Sequence, residues 1–386
     1  MNNVYRVILF ALFLIAAPYG FAQDLLWIDV EDKALNLDRH VAFRGSFSLD
    51  EATDAEVYIS GASWYRVWMD GVLLTEGPDR YHPEHPTYQV RKKKLAAGEH
   101  VLAVQLHSEG VDTRMLQGID PFLYCELMGN GSRYEIDWKC IELQGYTPQL
   151  RRVSAQFGWM EWCDTGLLPD GWTIPGFNDT AWGQAVAVTR KLGTFTASEL
   201  TEVQNYSTSF KVIGKGPLAS YYGYETDNPS ARFFLRDLEC ASLPPQGVWR
   251  RYDLEKIKLI SPYFTLDLPE GAMVEFAFCE ALQHERVSPW INLSVSDSYN
   301  MVHFQARGGK QVFHPLTPKG GRYVEMHIIA PPEEIKILDE QFLERAYHRQ
   351  ADGAFECEDP LLNRIWQLGA ETYMSCAEDA LVANPT

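Results

Sequence analysis

The stretch Gly353–Thr386, GAFECEDPLLNRIWQLGAETYMSCAEDALVANPT, decides how the rest of the chain is read. Asp359 stands where a helix N-cap belongs, and Pro360 follows at the first helical position, where a missing N–H costs nothing. Leu361, Leu362, Ile365, Trp366, Leu368, Thr372, Tyr373 and Cys376 then recur at three- and four-residue steps, an apolar stripe that needs a partner. Almost everything before it reads as strands. The chain is therefore expected to be a β-rich front followed by the first helix of a helical domain, with most of the chemistry belonging to that domain.

Working outward, the strand signals fall into units. Val41–Phe47 and Glu56–Ser60 alternate, and Trp64–Met69 runs into Asp70-Gly71, a hairpin turn signal, before Val72–Leu74. Val101–Leu106, Phe122–Leu127 and Tyr134–Trp138 complete a first sandwich over residues 23–150. Residues 151–200 read as a loop-rich segment of a jelly roll, with Trp159, Trp162, Trp172 and Trp182 interleaved with Asp164, Asp170 and Asp179. A further sandwich spans 201–335, with strands expected at Trp249–Ile260, Tyr263–Leu268, Met273–Phe278 and Arg322–Ile329, and a turn at Lys319–Gly321. Residues 336–386 read as a linker and the opening helix; Ile335–Tyr347 fits either a strand or a short helix. The expected class is mostly β, tandem jelly-roll-like sandwiches followed by one helix.

Composition narrows the function. With 386 residues and 46% hydrophobic residues the chain can bury several cores. A net charge of −18 offers nothing to a phosphate backbone, so nucleic acid is excluded as a partner. Met1–Ala22 has the form of a secretory signal: Arg6, an apolar run over Val7–Ala17, and small residues at Gly20 and Ala22. Cleavage after Ala22 would leave no transmembrane segment and place the protein outside the cytoplasm, secreted or periplasmic. Seven cysteines are widely spaced, without CxxC or Cys/His pattern; they suit buried strand positions better than a zinc site, and an oxidising compartment permits one bridge among them.

No GxSxG, GxxxxGK[ST] or GxGxxG occurs, and no carboxylate pair shares an evident apolar face, so no catalytic residue is assigned within the chain. His82, His85, His284, His303, His314 and His327 read as surface or sheet residues. The 159–182 cluster is the best local candidate. Asp164 and Asp179 could supply oxygen to a hard cation, calcium, and Trp172 could stack on a sugar ring. The competing reading makes the indoles a small core and the acids turn caps.

In this order the pieces resemble the bacterial α-L-rhamnosidases, multidomain inverting glycosidases. The resemblance rests on Ala55–Gly71 with Gly77–Arg80, on Cys163–Ala185, on Gly247–Asp253 with Pro269–Ala272, Glu280 and Gly320–Glu325, and on Phe355–Tyr373. It implies a rhamnose-containing glycan as partner, contacted by Trp172, Asp164 and Asp179, with calcium held at Asp164. It also implies that Phe355–Tyr373 enters an (α/α)6 barrel whose catalytic acids follow. Ala383 stands where that family has an Asp before the Asn384-Pro385 step. A non-catalytic carbohydrate-binding or adhesion protein, and a different (α/α)6 glycosidase with similar front modules, are the rival readings.

Overall fold

Asp70 and Gly71 both take positive φ, 52° and 80°, the primed turn whose twist suits the strands it joins. That turn connects Trp64–Met69 to Val72–Gly77, as the sequence suggests. The computed structural model describes residues 25–29, 36–113, 116–153, 156–200, 203–219, 245–283, 285–291, 298–347 and 353–375. The signal-like segment, Cys240, His284, Cys376 and Ala383 lie outside them.

Two antiparallel sheets make the first sandwich. One runs, in spatial order, through Val186–Val188, Leu25–Trp27, Phe122–Gly129, Thr53–Ala62, Thr87–Leu95 and Thr196–Ala197, the last paired in parallel; Ser132–Tyr134 joins Phe122–Gly129 off this path. The other runs Gly183–Gln184, Asp137–Glu142, Arg39–Leu49, Gly98–Ser108, Trp64–Met69 and Val72–Gly77. Alternate residues of both meet in one core around Trp27, Phe43, Val57, Ile59, Tyr65, Val104 and Leu123. Period-2 alternation is what lets each strand place one face there.

The second sandwich is one long sheet curled around its own core. Its centre is Pro245–Leu268, a strand of 24 residues. The register breaks between Asp253 and Lys258, where Glu255 takes a φ of 67°. Beyond the break the strand pairs with Lys319–Gly321 only as far as Ile260, and from there Lys336–Tyr347 and Gly309–Phe313 are its neighbours. That bend closes the sheet over Tyr252, Phe264, Phe276, Phe313, Val324 and Phe342. Trp249–Ile260 and Tyr263–Leu268, expected as two strands, are thus one. Lys319–Gly321, expected as a turn, opens the strand Lys319–Ile329. Ile335–Tyr347 resolves as strand Lys336–Tyr347, so the sandwich runs past 335.

Residues 151–200 do not stand as a unit of their own. Glu161–Asp164 joins the second sandwich beside Met301–Gln305, whereas Gly183–Gln184 and Val186–Val188 join the first. Helix Pro360–Ser375 begins as expected, with the Leu361 N–H donating to Asp359 Oδ1 at 2.8 Å. Its Leu361, Leu362, Ile365 and Leu368 are exposed. No helix among the described residues is long and apolar enough to cross a membrane. Cys125, Cys140 and Cys163 are free thiols buried in strands; burial holds the Cys140 thiol up at about 11.

The sandwiches meet along the even-numbered face of Trp64–Met69. Tyr65, Val67 and Met69 enter the first core, while Trp64, Arg66 and Trp68 point the other way. Arg66 Nη2 donates to the Pro315 carbonyl at 3.0 Å and lies 3.1 Å from His314 Nε2. Burial and the Arg66 charge press His314 down to about 3, so it stays neutral in the fold. An unfolded histidine titrates near ~6.5, so between that value and the folded one the unfolded chain binds the extra proton. Stability is therefore complete above the unfolded value and lost as pH falls below it. His314→Gln should flatten the acid limb of a pH–stability curve by up to ~1.4 kcal/mol per pH unit, measured by urea unfolding.

Candidate functional site

The loop between Asp164 and Gly183 spans from one sandwich to the other. It opens with a single 3-10 turn, Thr165–Leu167, capped by Asp164, whose Oδ1 accepts from the Gly166 N–H at 2.9 Å. Thr165 Oγ1 then donates to Gln311 Oε1 at 2.7 Å, and Arg307 pairs with Asp170 at 2.7 Å, tying this end to the second sandwich.

The other end is wound around Arg44, which projects from Arg39–Leu49. Its guanidinium donates to the carbonyls of Trp172 (3.2 Å) and Ile174 (2.9 Å) and to Asp179 Oδ2 (2.9 Å). Asp179 Oδ1 takes Lys139 at 2.7 Å. The indoles fill the space beneath. Trp182 is buried with Ala42 and Leu143, and Trp172 packs tilted on Trp182 at 5.9 Å and edge-on to Trp68 at 5.6 Å.

What remains open is a groove of about 560 Å³ between the sandwiches. Half-buried Trp68 and Trp172 form its apolar side; Asp170, Arg307, Lys310 and Gln311 supply charge and hydrogen-bonding groups. An aromatic surface rimmed by such groups suits a polyol, whose C–H face packs on indole while its hydroxyls are bonded at the edge.

The three residues singled out by sequence fare differently. Trp172 lines the groove. Asp179 is engaged by two cations and holds the loop in place. Asp164 caps a turn, as the competing reading has it. Neither acid belongs to a convergent group of three or more acidic, imidazole or thiol ligands among the described residues.

Two buried polar groupings escaped sequence reasoning. Asp38, His40 and His107 bring ligand atoms within 4.8 Å of one another. Yet the His40 and His107 rings stack in parallel at 3.9 Å and 6°, and His40 stacks on Tyr146 at 3.7 Å, so their lone pairs run side by side rather than to one point. Burial pushes His40 down; His107, which burial alone would also lower, is carried up by its hydrogen bond to Asp38. On the second sandwich, Glu325 is paired with Arg251 at 2.9 Å and His327 at 2.9 Å, and Glu275 with His303 at 3.1 Å. These acids do share one buried sheet face, contrary to the sequence expectation. At 1% exposure or less both are walled off from solvent and serve the packing. In register Glu275 lies opposite both His303 and His327.

No family model matches the chain, and no curated protein does. Among solved structures, the GH78 family rhamnosidase of Bacillus sp. GL1 superposes with a TM-score of 0.76 at 13% identity, over 95% of this chain and 59% of that one. The chain has a rhamnosidase-like fold. The α-L-rhamnosidase from Dictyoglumus thermophilum matches at 0.62 and 16% identity, over 96% of this chain and 40% of that one. The Streptomyces avermitilis α-L-rhamnosidase complexed with L-rhamnose matches at 0.61 and 16%, over 91% and 33%. The chain thus spans from a third to about three-fifths of these enzymes.

Arg44 carries the groove's shape. Its side chain is 4% exposed, and its removal strands two carbonyls and half of the Asp179 pairing. Arg44→Met should cost about 3–5 kcal/mol, the range for breaking a buried ion pair, read by urea unfolding, and should shift the tryptophan emission of the folded protein toward the red.

Proposed function

We propose that this chain is the substrate-handling front of a secreted α-L-rhamnosidase-like glycoside hydrolase that acts on terminal rhamnosides of polysaccharides. The observation that carries the reading is the superposition of 95% of the chain on the Bacillus rhamnosidase. The groove at Trp172 would then receive a rhamnose-bearing chain, with the indole against the sugar's apolar face and Arg307, Lys310 and Gln311 on its hydroxyls.

Inverting hydrolysis needs a carboxylic acid and a carboxylate about 6.5–9.5 Å apart across one pocket. The groove offers a single carboxylate, Asp170, and it is neutralised by Arg307. The pair is accordingly assigned to the helical domain that helix Pro360–Ser375 begins, packed on the apolar side chains this helix presents.

Two assays test the reading together. The chain should release no nitrophenol from p-nitrophenyl α-L-rhamnoside above the buffer rate, and L-rhamnose should quench its tryptophan fluorescence saturably. Trp172→Ala should weaken that response about tenfold or more. Hydrolysis abolished by a point substitution, or a response indifferent to Trp172, contradicts it.

A further inference from the structure

Trp68 stands in the same groove as Trp172, and the two indole planes meet at 74° with centroids 5.6 Å apart. Set edge to face, they make a corner rather than a flat platform. Both are half-buried, so each keeps surface that a ligand can reach. Leu168, also half-buried, lines the groove and packs with Trp172 against the cluster around Trp182. Val312, 43% exposed, is the aliphatic residue on the facing wall. At about 560 Å³ the groove falls within the ~300–1,000 Å³ usual for small-molecule sites. At the other end of the seam, beside Trp64, the opening shrinks to about 70 Å³. Glu109 is fitted there so closely that a Cβ on Gly158 would sit 1.6 Å from its Oε1. A sugar ring has room at Trp68 and not at Trp64.

The charges around the groove call for a neutral ligand. Asp170, Arg307 and Lys310 line it. Asp170 and Arg307 pair with each other at 2.7 Å. Lys310 is exposed and lies opposite Asp267 in register, which is itself bonded to Lys336 at 2.9 Å. Nearby, Asp164 caps its own turn, and Asp339, opposite Thr265, is exposed to water. These groups can bond hydroxyls. They leave no concentrated field of either sign.

Given the sugar-binding role proposed for this groove, we infer that the Trp68–Trp172 corner seats the methyl group of a 6-deoxyhexose, and that Trp68 is the residue by which the groove prefers a rhamnoside to the corresponding mannoside. The two sugars share one ring configuration and differ at C6, which is a methyl group in one and a hydroxymethyl group in the other. The methyl group adds an apolar vertex to the C–H face of the ring. A single flat indole covers the face alone; two indoles at 74°, closed by Leu168, cover face and vertex together. In the mannoside the O6 hydroxyl enters the same corner, where leucine and the indole faces accept no hydrogen bond in place of the water it sheds. A closed apolar pocket rejects one added hydroxyl by ~100-fold, and a corner open on one side does so by less.

The experiment compares methyl α-L-rhamnopyranoside with methyl α-L-mannopyranoside by saturation-transfer NMR titration of the full chain. The rhamnoside should bind saturably and at least about fivefold more tightly than the mannoside. Trp68→Ala and Leu168→Asn should each bring that ratio toward one, whereas Trp172→Ala should weaken both ligands. Because the ratio is taken within one protein, a general loosening of the fold weakens both ligands and leaves it unchanged. The two corner variants are independent, so one suffices if the other fails to fold. A smaller ratio in the native chain, or a ratio that neither corner substitution lowers, overturns the role of Trp68 and leaves the groove standing as a sugar site. No binding of the rhamnoside at all overturns both.

Discussion

Arg66 is the side chain on which the arrangement depends. It leaves the first sandwich with its side chain 8% exposed, pairs there with Glu76, and reaches across to His314 and the Pro315 carbonyl. Asn205, from the outer strand of the second sandwich, adds a bond of 2.6 Å to Glu76. Burying a charge at such a seam is unfavourable unless it is paired and hydrogen-bonded; Glu76 of the first sandwich pairs it, and the second sandwich takes its Nη2. Although burial alone would raise Glu76, Arg66 draws it down to about 2, so the pair stays ionised.

The same strand explains why the molecule opens where it does. Trp64, Arg66 and Trp68 are alternate residues, about 6.6 Å apart along the strand. Opposite them the second sandwich passes Gly309–Phe313, then His314 and Pro315, then Thr317–Gly320. The groove forms at Trp68, the lock at Arg66 and the cleft at Trp64. Three side chains on one strand face thus set the distance between the sandwiches and leave an opening on either side.

Much of this was legible in sequence and some was not, for physical reasons. The Asp70-Gly71 turn, the Asp359–Pro360 helix start and the strand alternation are local signals, and they were read correctly as local structure. The curl of Pro245–Leu268 depends on neighbours far away in the sequence, Lys319–Ile329 and Lys336–Tyr347, so the strand read as two. Asp164 and Asp179 drew attention as possible ligands because a lone sequence shows charge without its partners; Arg44, 135 residues before Asp179 in the chain, supplies the one for Asp179. The seam itself had a signal. Trp64–Met69 has hardly any polar face, as expected of a strand buried on both sides, and Arg66 is the exception that marks the lock. Glu109 and Gly158 meet only through tertiary contact, and no spacing announces them.

The most direct test of the seam as the organising contact is differential scanning calorimetry of the chain and of Arg66→Ala. A locked seam predicts that the native chain unfolds in one cooperative transition, with calorimetric and van't Hoff enthalpies in agreement, and that Arg66→Ala resolves it into two. Two independent transitions in the native chain, or one unaltered transition in Arg66→Ala, would contradict it.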